Sequence, residues 1–326
     1  MTYTLGRRAF GVASLALFGA PVSARAQGNW PNRPVTLIVP YAAGGSTDAV
    51  ARILAQRLST DLGQNVVVDN RSGATGTIGM ALVARARPDG YTLALAPGST
   101  FAMAPHLYKL PYDNERAFAG AGLIATMPMF LTVPGASPVR DLPGFLDLAK
   151  RQGANLTYGH AGAGSSMHLA AELFLKVAGV ELQAVSYRGA APAVQGMLGG
   201  ETGMTMMPAS AVMSFLHSGD VRALAVTTKE RSPLAPEVPT FAEGGFPGYE
   251  VVEELALFAP AGTPEPILRR LHEATAAAFA APDMREKLNV LAVAPAISAL
   301  ESWPAHFAAE NRKWREVIQT RNITLE

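Results

Sequence analysis

The chain has 326 residues, of which 49% are hydrophobic and only 16% are charged, and its formal net charge is +1. This composition excludes an intrinsically disordered chain, and the length favours about two domains over one. The near-neutral charge and the lack of a basic patch argue against a nucleic-acid partner. The sequence contains no cysteine, which excludes thiolate nucleophiles, CxxC metal sites and disulfides.

Residues 1–26 have the pattern of an export signal. Arg7 and Arg8 are followed by an apolar run over residues 11–20, and small residues that end at Ala26 offer a cleavage site. The apolar run is too short to span a bilayer. The Arg-Arg-x-Phe pattern resembles a twin-arginine signal, and an ordinary secretory signal is the alternative. We therefore expect a periplasmic protein whose leader is cleaved near Ala26.

The first predicted elements after the leader are a strand, a glycine turn and a helix. The apolar run Val35–Val39 predicts the strand, and apolar residues at helical spacing predict a helix that starts near Ser46. The first turn of a helix has unpaired N–H groups and positive partial charge, and Gly44 and Gly45 would let a ligand approach it closely. The hydroxyl groups of Ser46 and Thr47 either bind an anion or cap the helix. The stretch indicates either a cradle for a carboxylate or phosphate, or an ordinary βα turn.

Strands and helices continue to alternate through the first third of the chain. Strands are predicted over 65–68 and 91–95, with a glycine-containing loop and a helix over 73–86 between them. The third strand is followed by hydroxyl residues that include Thr100. This alternation favours a doubly wound sheet. An apolar, glycine-containing segment over 119–125 then predicts a crossover between domains.

A second alternation of strands and helices begins at Phe130. Its loop over 159–168 repeats the opening pattern of strand, glycine turn, two hydroxyl groups and helix start. Two such turns, one in each half, indicate two lobes whose helix N-termini face one cleft. A second crossover is predicted at 255–258, and the helices of the tail are expected to pack on the first lobe.

Several motifs resemble the substrate-binding proteins of tripartite tricarboxylate transporters, also called Bug receptors, and together they are specific. They are Val-Pro-Tyr-x-x-Gly-Gly-Ser-Thr-Asp at 39–48, Pro-Asp-Gly-Tyr-Thr-Leu at 88–93, Tyr-Arg-Gly-Ala-Ala-Pro at 187–192, Ala-Val-Thr at 225–227 with Arg231, Val-Pro-Thr at 238–240 and Gly-Thr-Pro at 262–264. The resemblance implies the α/β fold of a type II periplasmic binding protein, with two lobes joined by two crossover strands. Each lobe would be a doubly wound sheet flanked by helices. The implied boundaries are 1–26 for the leader, 27–122 and 254–326 for the first lobe, and 123–253 for the second.

The resemblance also implies a receptor that closes on a small carboxylate by hinge motion. It would deliver this ligand to a membrane permease of the transporter, or report it to a signalling partner. Backbone N–H groups, hydroxyl groups and water would hold the carboxylate, and no metal, cofactor, catalytic residue or nucleic acid is implied; a monomer is expected. The implied ligand-binding residues are Tyr41, Gly44, Gly45, Ser46, Thr47, Asp48, Thr100, Gly162, Ala163, Gly164, Ser165, His168, Tyr187 and Arg188.

Two positions depart from the family pattern. Met207 stands where the family usually has an acid, and Glu254 and Leu255 stand where it usually has an aromatic pair, with Glu253 as a neighbouring carboxylate. An acid in the cleft of an anion receptor is unfavourable unless the ligand also carries a cation. We therefore hypothesise that Glu253 or Glu254 contacts an ammonium group or another donor, and we add Glu254 to the candidate ligand-binding residues. An amino-bearing carboxylate is then the alternative ligand class; the competing interpretation is that both glutamates face solvent.

Single residues allow some further expectations. Asp48 is expected to support the start of the first helix rather than to touch an anion. Arg188 pairs either with a ligand carboxylate or with an acid of its own lobe. His160 and His168 match no zinc motif and have no third ligand nearby, so His168 is expected to cap or orient its loop.

Two other functions stay open from the sequence. One is a periplasmic hydrolase or lyase that acts on a small carboxylate, although the chain lacks a G-x-S-x-G motif and a base beside a nucleophile. The other is the effector half of a transcription regulator, which would need a helix-turn-helix in the place that the leader occupies. The glycine spacings do not match a dinucleotide-binding fingerprint.

Overall fold

The computed structural model describes residues 1–2 and 30–325, so the predicted leader falls almost entirely outside the described residues. Strands and helices alternate along the described part of the chain. The strands are β1 (Val35–Val39), β2 (Val66–Asn70), β3 (Thr92–Pro97), β4 (Phe118–Pro134), β5 (Thr157–His160), β6 (Gln183–Ser186), β7 (Met204–Pro208), β8 (Val221–Val226), β9 (Val252–Pro260) and β10 (Ala294–Pro295). The α-helices are α1 (Ser46–Leu62), α2 (Thr77–Ala84), α3 (Leu142–Gln152), α4 (Ser166–Ala178), α5 (Ala190–Leu198), α6 (Ala209–Ser218), α7 (Glu265–Ala280), α8 (Pro282–Val290) and α9 (Trp303–Thr320).

The sheet follows the order β2-β1-β3-β9-β4-β7-β5-β6, and β8 and β10 also pair with β4. β1 pairs in parallel with β2 and β3, and β5 pairs in parallel with β6 and β7. Parallel neighbours need crossover connections, and the helices that form them cover the faces of the sheet, which explains the apolar strand sequences. The loops that leave the carboxyl ends of β1 and β5 lead into α1 and α4, and it is at such strand ends that open α/β sheets bind ligands.

Two long strands connect the two halves of the sheet. β4 pairs with β9 as far as Pro128, and from Met129 onward it pairs with β7 and β8 instead. The sequence predicts a crossover at 119–125 and a separate strand from Phe130, but the structure has one continuous strand. Its pairing with β9 is irregular on both sides of Gly122, and such irregularities let a strand bend without ending. The predicted lobe boundaries after residues 122 and 253 fall within β4 and β9.

The apolar core forms two clusters. One cluster joins α1, β9 and α7 through residues such as Leu54, Leu257 and Leu271, which are fully buried. The other contains the second half of the sheet and α4, and Phe130 and Phe174 are among its fully buried members. The second cluster also includes Ile38, Met80 and Ala94, so apolar packing continues from one half of the molecule into the other.

The packing of the last helix differs from the prediction, which placed the helices of the tail on the first lobe. α7 and α8 do contact α1, but α9 reaches both halves. At its start, Trp303 packs edge-on against Phe101 and Phe258, with ring centroids 5.6 and 5.4 Å away. Just beyond its end, Arg321 Nε lies 2.6 Å from Glu172 Oε2 on α4. The aromatic start and the charged end of this segment thus bind to different halves of the molecule.

Candidate functional site

A cavity of about 550 Å³ lies between the two halves of the chain. The loops before α1 and α4 both contribute to its lining, as does the turn before α5. Of the residues predicted from the sequence, those that line it are Tyr41, Gly45, Ser46, Thr47, Gly162, Ala163, Ser165 and Arg188. The others, which lie outside this lining, are Gly44, Asp48, Thr100, Gly164, His168, Tyr187 and Glu254.

The start of α1 faces the cavity with its hydroxyl groups unused. Gly45 is the N-cap residue, so no side chain caps the helix. The hydroxyl groups of Ser46 and Thr47 make none of the hydrogen bonds found within the described residues, although both residues line the cavity. The interpretation of these hydroxyl groups as helix caps is therefore wrong. They and the first-turn N–H groups are instead available to a ligand.

Asp48 lies beneath this turn and holds it in shape. Its carboxylate accepts hydrogen bonds from the Gly44 amide, Asn70 Nδ2 and Arg52 Nε, each at 2.9 Å. Burial alone would raise the pKa of Asp48, but these hydrogen bonds outweigh it and lower the pKa below its usual value. The charged carboxylate therefore supports the loop from behind, and it is Ser46 and Thr47 that reach the ligand space.

The start of α4 is built differently. Ser165 caps the helix by accepting a hydrogen bond from the His168 amide at 3.3 Å, and His168 Nδ1 accepts one from the Gly164 amide at 3.1 Å. The His168 ring also stacks on His160, with ring centroids 4.2 Å apart. Burial, with a smaller contribution from His160, lowers the pKa of His168 to about 3, so this ring is neutral. His168 orients the loop and does not face the cavity, which corrects its assignment as a ligand contact.

The turn before α5 adds a third helix start and one cation. Gly189 has a φ angle of +129°, which favours glycine, and it leads directly into α5. Arg188 lines the rim of the cavity and forms none of the ion pairs in the described part of the chain. The hydroxyl group of Tyr187 donates to Glu201 Oε2 at 2.8 Å, away from the cavity. Tyr187 is therefore a structural residue of this turn, contrary to the prediction, because Glu201 holds its polar end.

Thr100 is fully buried and acts through Tyr41. Thr100 Oγ1 donates to the Tyr41 hydroxyl oxygen at 3.2 Å, and Ser99 Oγ lies 3.1 Å from the same oxygen. Burial raises the pKa of Tyr41 to about 12, so the phenol keeps its proton. Thr100 thus positions a residue that lines the cavity but does not line it itself.

Several residues that line the cavity escaped the sequence-based prediction. Thr75 and Tyr108 share a hydrogen bond of 3.0 Å between their hydroxyl groups, and Ser99 and Ser166 add further hydroxyl groups. The glycine-rich loop over 73–79 was a usable signal for Thr75. Nothing in the sequence around Tyr108 pointed to the cavity, because it is brought there by tertiary packing.

The two neighbouring glutamates on β9 face in opposite directions. Glu253 lines the cavity with 9% of its surface exposed, opposite Met127 on β4. Glu254 is 7% exposed and lies on the other face of the strand, where Oε2 is 2.9 Å from Nε2 of His306 on α9. Because successive side chains on a strand point to opposite faces, only one of the two can reach the cleft. The choice of Glu254 is therefore wrong, and the interpretation that both glutamates face solvent is wrong as well.

Burial dominates the electrostatics of Glu253. It raises the pKa of this carboxyl group to about 7; Glu254 raises it further, whereas Ser166 and Ser99 act to lower it. Glu253 and Arg188 are the charged residues among those that line the cavity in the described part of the chain.

A second cavity of about 630 Å³ lies between β4 and α9, and its lining includes the aromatic side chains of Phe118, Trp303 and Phe307. Although it is larger, the N-termini of α1, α4 and α5 do not open into it. We place the candidate site in the smaller cavity between the lobes for that reason.

Within the described residues, no helix is both long enough and apolar enough to cross a membrane. The same residues contain no group of three or more His, Asp or Glu side chains that could hold a metal ion.

Comparison with known proteins gives a consistent result. The family model described as the tripartite tricarboxylate transporter family receptor matches residues 50–323. A protein from the tcbD-tcbE intergenic region of Pseudomonas sp. (strain P51) is 40% identical over 319 residues, which is 96% of this chain and 94% of that protein. Among solved structures, R. palustris Rpa4515 with adipate has a TM-score of 0.81 at 36% identity and covers 90% of this chain and 99% of its own. The periplasmic binding protein BugD has a TM-score of 0.77 at 34% identity, with 90% and 99% covered.

Proposed function

The chain belongs to the tripartite tricarboxylate transporter receptor family, and from this premise we propose that the cavity between its lobes closes on a small carboxylate for delivery to a membrane permease. The chain is a periplasmic solute-binding receptor of the Bug type, and like its solved relatives it is not an enzyme. The prediction of the family and of a two-lobe binding-protein fold is thereby confirmed.

One observation carries the proposal about the ligand. The starts of α1, α4 and α5 open into one cavity, and the residues around them contribute hydroxyl groups and the side chain of Arg188. Helix N-termini stabilise negative charge through unpaired N–H groups and the helix dipole, and several of them together form an anion site. The similar structure of Rpa4515 is described with adipate, a carboxylate, which supports the same ligand class for this chain.

Within such a cleft, closure would strengthen the binding. The two lobes would approach by bending of β4 and β9, and water would leave the cavity as they do. Hydrogen bonds from Ser46, Thr47 and the helix amides to the carboxylate gain strength when water is excluded. Arg188, at the rim, would add one charge-assisted contact as the cleft closes.

The family implies export to the periplasm and a tripartite transporter as the membrane partner. We expect cleavage near Ala26 and export by the twin-arginine route, with the general secretory route as the alternative. The receptor would act as a monomer and dock its closed form on the permease, or on a signalling partner.

A thermal-shift screen tests the proposed ligand class. The purified exported protein is heated with mono-, di- and tricarboxylates, amino acids and aromatic acids. A ligand that binds only the folded state raises its apparent stability, so at least one carboxylate should raise Tm in a concentration-dependent way.

Two variants locate the binding. Arg188→Ala should reduce the Tm shift, because it removes the cation of the cavity lining that can pair with the ligand. Arg151→Ala is the control: it changes an exposed arginine on α3, outside the cavity, and should preserve the Tm shift. A carboxylate-induced shift that Arg188→Ala, Ser46→Ala and Thr47→Ala all leave unchanged would contradict the proposed site.

A further inference from the structure

We infer that Glu253 makes this receptor select a carboxylate that also carries a positively charged amino group. The inference rests on the proposed function, because it assigns the second half of the same ligand. It concerns the second crossover strand, β9, because Glu253 is the acidic residue among those that line the cavity in the described part of the chain.

The first observation is the position of Glu253. Its side chain lines the cavity from β9, and 9% of the residue's surface is exposed. The Ser46–Thr47 turn and Arg188 line the same cavity. Glu253 and the groups proposed to bind the carboxylate therefore border the same ligand space.

The second observation is that the Glu253 carboxylate lacks a cationic partner. Within the described residues it takes part in no ion pair. Ser166 and Ser99 donate hydrogen bonds to it, but both are neutral donors. The neighbouring acid Glu254 already pairs with His306 on the opposite face of β9. A buried charge without a cation is unfavourable, so a cationic group on the ligand would stabilise the charged Glu253.

The lining of the cavity does not provide that cation. Arg188 is the positively charged residue among those that line it within the described chain, and it lies at the exposed rim beside the α5 turn. A ligand carboxylate bound at the helix starts would bring a second negative charge toward Glu253. An ammonium group on the same ligand would instead give Glu253 a charge-assisted hydrogen bond and neutralise it.

A plain dicarboxylate would also fit the space, but it would need Glu253 to be protonated. Burial raises the pKa of Glu253 to about 7 although Ser166 and Ser99 act to lower it, so the carboxyl group is mostly charged at pH 8. The amino-bearing ligand satisfies Glu253 in that charged form. A single side chain thereby distinguishes two ligand classes of nearly equal size. The plain carboxylate binds less well because it leaves the charged Glu253 side chain without a cation.

Calorimetric titration at pH 8 with matched ligand pairs tests the inference. The pairs are aspartate and succinate, glutamate and glutarate, and 4-aminobutyrate and butyrate, which differ only in the amino group. In the wild type, the amino-bearing member of at least one pair should bind at least tenfold more tightly. In Glu253→Gln that ratio should fall below threefold, since the amide cannot neutralise an ammonium group.

Glu254→Gln is the matched control, because it removes the adjacent carboxylate from the face that does not line the cavity. It should keep the wild-type ratio, even if losing the contact with His306 lowers Tm. A ratio that stays the same in Glu253→Gln, or no preference in any wild-type pair, overturns the inference while leaving carboxylate binding intact. If no probe binds to the wild type, the proposed function fails and the inference fails with it.

Discussion

At the scale of single residues, the cleft contains a carboxyl group that the fold does not stabilise in its charged form. Burial raises the pKa of Glu253 to about 7, against an ordinary glutamate value of 4.5. The unfolded chain therefore loses this proton at a lower pH than the folded chain does. The protonated Glu253 therefore contributes to the free energy of unfolding. This contribution is fully present below pH 4.5 and is lost as the pH rises to about 7.

The variant Glu253→Gln should consequently be more stable than the wild type at pH 8, in the absence of ligand, by about 2–3 kcal/mol. The difference should shrink as the pH falls toward 5. Tyr41 and His168, which face or support the cleft, stay neutral throughout this range because burial raises the pKa of the first to about 12 and lowers that of the second to about 3. Urea unfolding at both pH values measures the difference, with Glu254→Gln in parallel to separate any contribution from His306. A gain in stability that does not depend on pH would contradict the assigned titration.

Sequence reasoning identified the loops at this scale better than the side chains. It placed Ser46, Thr47 and Ser165 at the cleft because glycine turns followed by hydroxyl groups are visible in sequence, whereas Arg188 came only from the family resemblance. It chose Glu254 over Glu253 because the face of a strand depends on a register that only the pairing with β4 sets. Tyr187 was misjudged for a similar reason, since its partner Glu201 is distant in the sequence.

At the scale of elements, the two main helix starts use their hydroxyl groups differently. Ser165 caps α4, whereas α1 begins at Gly45 without a side-chain cap and exposes Ser46 and Thr47 to the cavity. Replacing a capping serine with alanine costs about 1 kcal/mol of stability, but a hydroxyl group that caps nothing has no such cost. The two sites should therefore respond differently to the same substitution.

The double variant Ser46→Ala with Thr47→Ala should weaken carboxylate binding by about 1–3 kcal/mol, because each hydroxyl group can make a charge-assisted hydrogen bond. Its Tm without ligand should stay close to that of the wild type. Thr60→Ala, which removes a hydroxyl group near the other end of α1, is the control and should change neither affinity nor Tm by much. Titration calorimetry gives the affinities. Wild-type affinity in the double variant would exclude these hydroxyl groups from the binding site.

Most elements could be predicted from the sequence because their periodicity is strong. β1, β3, α1 and α4 lie within a few residues of their predicted bounds. β4 was divided in prediction because its apolar, glycine-containing first part was interpreted as a crossover between domains. The structure keeps it continuous because neighbouring strands supply pairing along its length, and Gly120 leaves the space that the Trp303 ring fills.

At the scale of the whole molecule, α9 and the residues just beyond it form a third connection between the halves. Tyr158 donates to Glu172, which also contacts Arg321, and Arg321 Nη1 lies 2.7 Å from Glu181 Oε1. The side chains of Arg321 and Glu172 are 15% and 11% exposed, so this group is largely shielded from water. The link joins the end of the tail to the second half of the sheet.

Removing the cation from this group should destabilise the protein by about 2–4 kcal/mol, because Arg321→Ala leaves the buried Glu172 without a cationic partner. Arg269→Ala is the matched control, since Arg269 pairs with Glu265 on the exposed surface of the same tail, and its effect should stay within about 0.5 kcal/mol. Urea unfolding of both variants gives the two values. If Arg321→Ala and Arg269→Ala both lower the free energy of unfolding by a similarly small amount, the contact between Arg321 and Glu172 does not stabilise the protein.

The general architecture could be predicted because strand–helix alternation and the motifs spread over 30–317 point to the same two-lobe fold. The double attachment of α9 could not, because Trp303 and Arg321 acquire their roles only when the fold brings distant partners to them. The predicted lobe boundaries remain predictions, and they fall within the two strands that would bend during closure.

The most direct test of the account is a crystal structure of the receptor with the carboxylate that raises its Tm the most. We expect the ligand carboxylate in the cavity between the lobes, with its oxygens about 3 Å from amides in the first turns of α1 and α4. The account is contradicted if the ligand lies in the cavity between β4 and α9, or if lysine side chains neutralise its carboxylate instead.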